Sequence, residues 1–369
     1  MGVVNCEFCG RKMHRNGRTS AGKTRWRCRH CHASRVQVID NKAKQLNEFL
    51  DWLLGRRIMR EMPGGGRTFR RRTSWCWNLW PISPFIDETL PVIYIDGIYL
   101  SRKAVVLIAS SDTRVLGWYL ARSESSAAYM GLMKKIAAPF MVVSDGGAGF
   151  AKALRQVWPA TRHQRCLLHA ANQVKRYTTR NPLTAAGKDL LMLAGLLTRV
   201  RTIEQRDQWI FWYQNWRDSY RVYLSEMSRQ PDGRKVFTHQ RLRKARAGLD
   251  RLLRDRTLFA FLDAGVEGMP AFNNRAESVN SCLRRMLRQH IGLRVDRQVK
   301  AIMWWCFMHS GQGLTAADIL RLFPDGDEVL RFYQHPGNQG GQLPGAPEYG
   351  QVVMWHELHT SDPYRLDWD

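Results

Sequence analysis

Three short apolar runs follow one another from residue 91: VIYIDGIYL, KAVVLIASS and RVLGWYLA, separated by Ser101-Arg102 and Asp112-Thr113. Runs of this length, rich in Val, Ile and aromatic residues and joined by two-residue turns, predict an antiparallel three-stranded meander. A helical stretch, SSAAYMGLMKKIA, comes next, then an apolar strand FMVVSD that ends in Asp145. A helix over GAGFAKALRQVW, a short strand around Arg165-Cys166 and a helix over HAANQVKRY complete the block. Upstream, residues 42 to 54 place Ala43, Leu46, Phe49, Leu50, Leu53 and Leu54 on one helical face, which Gly55 ends. A short second helix, GRRIMREM, runs into Pro63-Gly64-Gly65-Gly66. Phe69, Thr73, Cys76 and Trp80 then recur at helical spacing while Arg70, Arg71 and Arg72 project elsewhere.

These patterns divide the chain. Residues 41–80 read as a three-helix DNA-binding unit of the helix-turn-helix kind, with a plain basic helical linker as the alternative. Three antiparallel strands followed by strand, helix, strand is the order of a ribonuclease H-like α/β sheet, which places the first part of a core at 90–178. Residues 334–369, rich in Gly and Pro with five acids and one Arg, read as a loose tail.

Charge narrows the function. The chain has 369 residues with 57 Lys+Arg against 32 Asp+Glu, a formal net charge of +25. The excess is local: residues 1 to 80 carry 18 basic and 5 acidic side chains, residues 151 to 272 carry 23 and 10, and the segments between and after are balanced. Discrete Arg-rich modules suit the phosphates of nucleic acid rather than a small metabolite. No 18-residue apolar stretch occurs and the N-terminus lacks the apolar core of a signal peptide, so the expectation is a cytoplasmic, nucleoid-associated protein without a membrane partner.

Eight cysteines in a reducing compartment favour metal binding or packing over disulfides. Cys6-x2-Cys9 and Cys28-x2-Cys31, 18 residues apart, have the spacing of a four-thiolate Zn2+ site and predict a zinc ribbon over 1–38. His14, His30 and His32 are spare ligands. Between the pairs, GRTSAGKT matches a phosphate-loop pattern, but RWRCRHC follows it where that loop needs a helix. The segment reads instead as a hairpin tip that offers Lys23, Arg25 and Arg27 to DNA.

Asp96 interrupts the first apolar strand and Asp145 ends the fourth. An unpaired carboxylate among Val and Ile is costly, and Asp-Gly as a turn signal explains Asp96 poorly because IYL continues the strand. If the first and fourth strands are neighbours, the two acids meet and can hold Mg2+ (or Mn2+) through oxygen ligands. A third acid, Glu277, lies in FNNRAESVNSCLRRMLRQH, where Asn274-x-x-Glu277 also resembles a capping box.

VIYIDGIYL, VVSDGGAGF, QRCLLH and NNRAESVNSCLRR together resemble the Mutator-like branch of DDE transposases of bacterial insertion sequences, over about residues 90 to 310. The resemblance implies a metal-ligating catalytic triad of Asp96, Asp145 and Glu277, and a C/D-x2-H motif at Cys166 and His169. It implies an all-helical insertion before the Glu helix, here 179–272, with the second part of the core at 273–333. It also implies two-metal cleavage and strand transfer on double-stranded DNA, both the element's terminal inverted repeats and its target, by a homodimer or larger assembly. His169 could contact the scissile phosphate or merely pack with Cys166. Within the insertion, Arg241, Arg243 and Lys244 are candidate phosphate contacts, and Trp209, Trp212 and Trp216 are either core or base-stacking residues. A zinc-dependent regulator without catalysis and a ribonuclease H-like nuclease without strand transfer are the competing functions.

Overall fold

In a computed structural model, residues 4–36 and 41–323 are described. The N-terminal strands β1 (Met13–Arg18), β2 (Thr24–Cys28) and β3 (Ser34–Val36) form an antiparallel sheet in that order. The phosphate-loop look-alike is the β1–β2 hairpin tip, closed by Thr19 N–H to Lys23 O at 2.8 Å and by Gly22 N–H to Thr19 O at 2.9 Å. Lys23, Arg25 and Arg27 are exposed on this hairpin.

Helix α1 (Lys42–Leu54) buries Leu46, Phe49, Leu50 and Leu53 as its periodicity predicts. The expected second helix is a single 3-10 turn at Met59–Glu61, and α2 (Gly65–Thr73) starts inside the glycine run. Gly64 adopts φ +84, so the run acts as the N-terminal boundary of α2 rather than as a break. A segment as short as 55–62, with three arginines, has too few apolar contacts to offset helix nucleation. Arg72 is half-buried and pairs with Glu48 on α1 while donating to Pro63 O at 2.9 Å. It therefore ties α2 to α1, and only Arg70 and Arg71 of the three project outward.

The central sheet contains β4 (Val92–Leu100), β5 (Ala104–Ser110), β6 (Val115–Ala121), β7 (Met141–Ser144) and β8 (Arg162–Arg165). Helix α3 (Ser126–Met133) precedes β7, α4 (Ala148–Val157) follows it, and α5 (Leu167–Thr178) follows β8. The strand order is β6-β5-β4-β7-β8, with β4, β5 and β6 antiparallel and β4, β7 and β8 parallel, so the first and fourth strands are neighbours. Leu100 pairs with Ala104, so the β4–β5 loop has three residues; Ser101 and Arg102 enter it with φ values of +49 and +56, and Lys103 N–H donates back to Leu100 O at 2.9 Å.

Beyond α5 come α6 (Ala185–Leu197), α7 (Ile203–Ser219), a hairpin of β9 (Met227–Arg229) and β10 (Lys235–Phe237), α8 (Gln240–Arg254) and α9 (Ala260–Asp263). The region expected to be all-helical thus carries a small hairpin. Trp209 and Trp216 are core residues here: both are buried, flank Tyr213 in a stacked ladder, and donate to Leu193 O and Ala186 O. Trp212, at 43% exposure, remains outside. Arg241 caps α5 by donating to Tyr177 O and Arg176 O, and Arg243 lies over the Phe237 ring and donates to Leu224 O. Both are occupied with holding the helices together, which leaves Lys244 exposed.

The described chain ends with α10 (Asn274–Gln289), α11 (Val295–Met308) and α12 (Ala316–Leu322). The tail at 334–369 lies outside the described residues. No helix among the described residues is long and apolar enough to cross a membrane.

One face of the sheet, with Ile93, Ile95, Val105 and Leu107, packs on α3 and α4. The opposite face is split. Val92 and Tyr94 join Met141 and Val143 beneath α5 and α6, whereas Ile98, Leu100, Val106 and Ile108 pack under α10 and α11. Asp96 points to this second face, at the seam between the two apolar clusters.

Candidate active site

Parallel pairing of β4 with β7 sets Ile95 opposite Ser144, so Asp96 and Asp145 leave the two strands at the same level. Asp96 is half-buried and both of its oxygens are held. Oδ1 accepts from Gly97 N–H at 2.8 Å, and Oδ2 accepts from Asn280 Nδ2 at 2.7 Å. Burial, and then the nearby charge of Asp145, push its carboxyl up to about 6. Asn280 is almost fully buried on α10, one turn beyond Glu277 and on the same face. Nothing in the sequence separated it from an ordinary helix-face polar residue.

His169, in the first turn of α5, joins the remaining acids. Its Nδ1 is 2.9 Å from Asp145 Oδ1 and 3.8 Å from Glu277 Oε1. Contact with Asp145, then with Cys166, raises its pKa to about 10, so the ring is an imidazolium at neutral pH. Cys166 is buried at the head of α5, and its sulfur accepts from Asn273 N–H at 3.4 Å. The side-chain ligand atoms of Asp145, Cys166 and His169 all lie within 4.8 Å of one another.

The capping-box alternative for Glu277 does not hold. The helix begins one residue earlier than that box needs, and the residue ahead of it, Asn273, makes no side-chain cap. Asn273 instead donates through Nδ2 to Ile95 O at 3.3 Å and to Asp145 Oδ1 at 3.5 Å, which braces the head of α10 against the middle of β4 and the end of β7. Its Oδ1 is buried without a hydrogen-bond partner.

Two further residues went unnoticed in the sequence. Glu124, in the β6–α3 connection, sits so close to Gly97 that a Cβ there would lie 2.5 Å from Oε1. Tyr129 hydrogen-bonds to Glu124, whose carboxyl is raised above its ordinary value by burial. Arg165 ends β8 beside Gly146, with Nε and Nη1 buried and lacking hydrogen-bond partners. Gly146 (φ +71) and Gly147 (φ +151) allow the chain after Asp145 to turn away at this crowded point. The signal for Glu124 would have been an acid placed just after an apolar strand; for Arg165 there was none.

At the other end of the chain, the sulfurs of Cys6, Cys9, Cys28 and Cys31 form a second cluster, with Cys6 to Cys31 at 3.4 Å and Cys9 to Cys28 at 3.5 Å. The edge of a tetrahedron with Zn–S of about 2.3 Å is about 3.8 Å, so the spacing fits one ion. Backbone N–H groups of Cys31 and His30 lower Cys28 to about 6, while the crowding sulfurs raise Cys9 and push Cys31 up to about 12, as four thiols packed together without a cation would. The cluster fits a zinc ribbon.

Fold and site together define a mixed α/β protein whose acids gather where β7 ends beside the middle of β4 and the first turns of α10, preceded by a cysteine knuckle. Residues 85–239 match the family described as Transposase, Mutator family. The chain is 24% identical over 162 residues to the transposase for insertion sequence element IS905 of Lactococcus lactis, covering 38% of this chain and 40% of that protein. It is 33% identical over 92 residues to the transposase for insertion sequence element IS6120 of Mycolicibacterium smegmatis, covering 21% and 28%. It is 22% identical over 201 residues to a probable insertion sequence transposase of Corynebacterium diphtheriae, covering 47% and 59%. The matched regions thus span between 28% and 59% of these relatives' lengths. The chain is thus similar, over these regions, to Mutator-family and insertion-sequence transposases, the resemblance its motifs implied.

Proposed function

We propose that the protein is a DNA transposase whose ribonuclease H-like core, in two parts at 90–178 and 273–333, cuts and joins DNA with two divalent metal ions. The observation that carries this reading is the convergence of Asp96, Asp145 and Glu277, which are far apart in sequence, around His169 and Asn280. The donors fit Mg2+ or Mn2+: they are carboxylate oxygens on rigid elements, and the orphaned Oδ1 of Asn273 is a further oxygen beside them. Asp96, Asp145 and Glu277 would hold the ions, which when bound activate the attacking water or 3′-hydroxyl and stabilise the leaving oxygen.

The chain's own residues do the rest. Gly97 N–H and Asn280 orient Asp96, and Asn273 holds Asp145 at the head of the Glu helix. In the metal-free chain His169 supplies positive charge between Asp145 and Glu277; with Asp145 taken up by the ions, the His169 ring would be left beside the site to face a phosphate oxygen. Arg165, buried with unpaired donors next to Asp145, is placed to do the same. The zinc ribbon at 1–38, the helical unit at 41–80 and the region 179–272 would hold the DNA, the exposed Lys23, Arg25, Arg27, Arg70, Arg71 and Lys244 among the contacts. Synapsis of two element ends supports a dimer or larger assembly on DNA.

The test uses duplex DNA that ends in the inverted repeats flanking the gene, with Mg2+ and supercoiled target. Cleaved ends that are also joined to the target are expected. Cut ends that are never joined would make the protein a nuclease, and neither product would favour the zinc-dependent regulator.

The pH dependence follows from Asp96. A proton and a metal ion compete for its carboxylate, and the proton wins below about pH 6. At subsaturating Mg2+, cleavage is therefore expected to rise about tenfold per pH unit below pH 6 and to level off above it. A flat profile from pH 5 to 8 would remove Asp96 from metal binding.

A further inference from the structure

A basic surface that the motifs did not single out begins at the candidate active site. Helix α10 buries Val279, Leu283 and Met286 against the sheet, and its outward face carries Ser278, Ser281, Arg284, Arg285 and Arg288, all exposed. Glu277 lies in its first turns. Arg288 is eleven residues further on, about 16 Å along the axis at 1.5 Å per residue.

The far end of the helix opens onto a cleft of about 540 Å³ between the end of α1, helix α2 and the loop after α10. Arg56, Arg57, Arg70 and Arg297 line it together with Trp52 and Trp77, and none of its lining residues is acidic. Arg57 is held by Asp51 at 3.1 Å and Arg297 rests over the Trp77 ring at 5.4 Å, whereas Arg56 and Arg70 are exposed. The walls are fixed relative to each other. His290, just past the end of α10, bonds to Leu53 O on α1 at 2.8 Å and packs edge-on against Trp52. A preformed, acid-free cleft continuous with a row of arginines complements a polyanion that runs toward the carboxylates.

We infer that the outward face of α10 and the arginine cleft at its far end form one track for the sugar–phosphate backbone of the DNA whose scissile bond lies at Asp96 and Asp145. The inference deepens the transposase reading and rests on it. It explains why the N-terminal helical unit is bolted to the Glu helix: one bound strand then spans both, and its register in the cleft sets which phosphate reaches the acids.

The track is tested in the full chain with the triple substitution Arg56→Gln, Arg284→Gln and Arg288→Gln, at exposed positions away from the acids. Binding of a fluorescein-labelled mixed-sequence duplex is followed by anisotropy across a salt series. Each lost phosphate contact lowers the slope of log K against log salt by about 0.9, so a fall of roughly 2 to 3 is expected, with the melting temperature unchanged. The corresponding Arg→Lys triple is expected to restore most of the slope. An unchanged slope in the Gln triple overturns the track while leaving the transposase reading intact. Failure of the wild-type chain to bind any duplex overturns both. Displacement of the duplex by inorganic phosphate at concentrations where sulfate has no effect would assign the cleft to a free anion and overturn the proposal.

Discussion

Asp96→Asn is expected to lower Mg2+-dependent cleavage of element-end DNA by about 10³-fold or more, roughly 4 kcal/mol of lost transition-state stabilisation. Two losses combine. The substitution removes a negative charge from the set of carboxylates that would hold the cations. It also removes one of two acceptors, because an amide can accept from Gly97 N–H or from Asn280 but not from both, whereas the carboxylate does so at 2.8 and 2.7 Å. Asn280→Ala separates these effects: the charge stays and only the orientation is freed, for which a loss of about 10- to 100-fold is expected. Single-turnover cleavage with circular dichroism as a fold control measures both. Activity of the Asp96 variant within tenfold of wild type would defeat the two-metal reading, and a fully active Asn280 variant would deny Asn280 its positioning role.

Removal of zinc should have an equally large effect, but on folding. Among the described residues of the N-terminal sheet, Cys6, Met13 and Cys28 form the whole fully buried apolar cluster. So small a core cannot offset the chain entropy of its strands. Four sulfurs gathered this closely would repel as thiolates without a cation, and structural Zn2+ binding to such sites supplies about 10–16 kcal/mol. Chelation, or Cys9→Ser, is therefore expected to expose residues 4–36 to protease while residues 41–323 stay protected, with one zinc per chain lost. Unchanged protection after chelation, together with no bound metal in the starting protein, would end the zinc assignment.

Comparison of particular residues shows which features were legible in the sequence. The 42–54 helix and the three strands from 92 to 121 appear where apolar spacing put them, because both periods are local. The hairpin at Gly17–Thr24 was readable for the same reason: a phosphate loop needs a following helix, and a cysteine knuckle follows instead. The second helix of the 41–80 unit was not, since only Met59 and Met62 of that segment reach the core while Ile58 and the three arginines face outward, too little buried surface to hold a helix. The arginines were the least legible. Arg72, Arg241 and Arg243 have the same local signature as Arg70 or Arg71, yet their partners are Glu48, Tyr177 O and Leu224 O, between 19 and 64 residues away.

Spacing along the chain was enough to mark the cysteine knuckle, the three-stranded meander and the two aspartates as candidates, because each depends on neighbours within a few residues or on hairpin pairing, whereas the β4–β7 pairing that brings the aspartates together rested on the order of elements. Tertiary packing alone decided that Glu277 faces His169 rather than its own helix end, that Asn280 and Glu124 join the acids, and which arginines remain available to a polyanion. Those outcomes depend on which distant group lies within about 3 Å of a donor, a distance no one-dimensional pattern encodes.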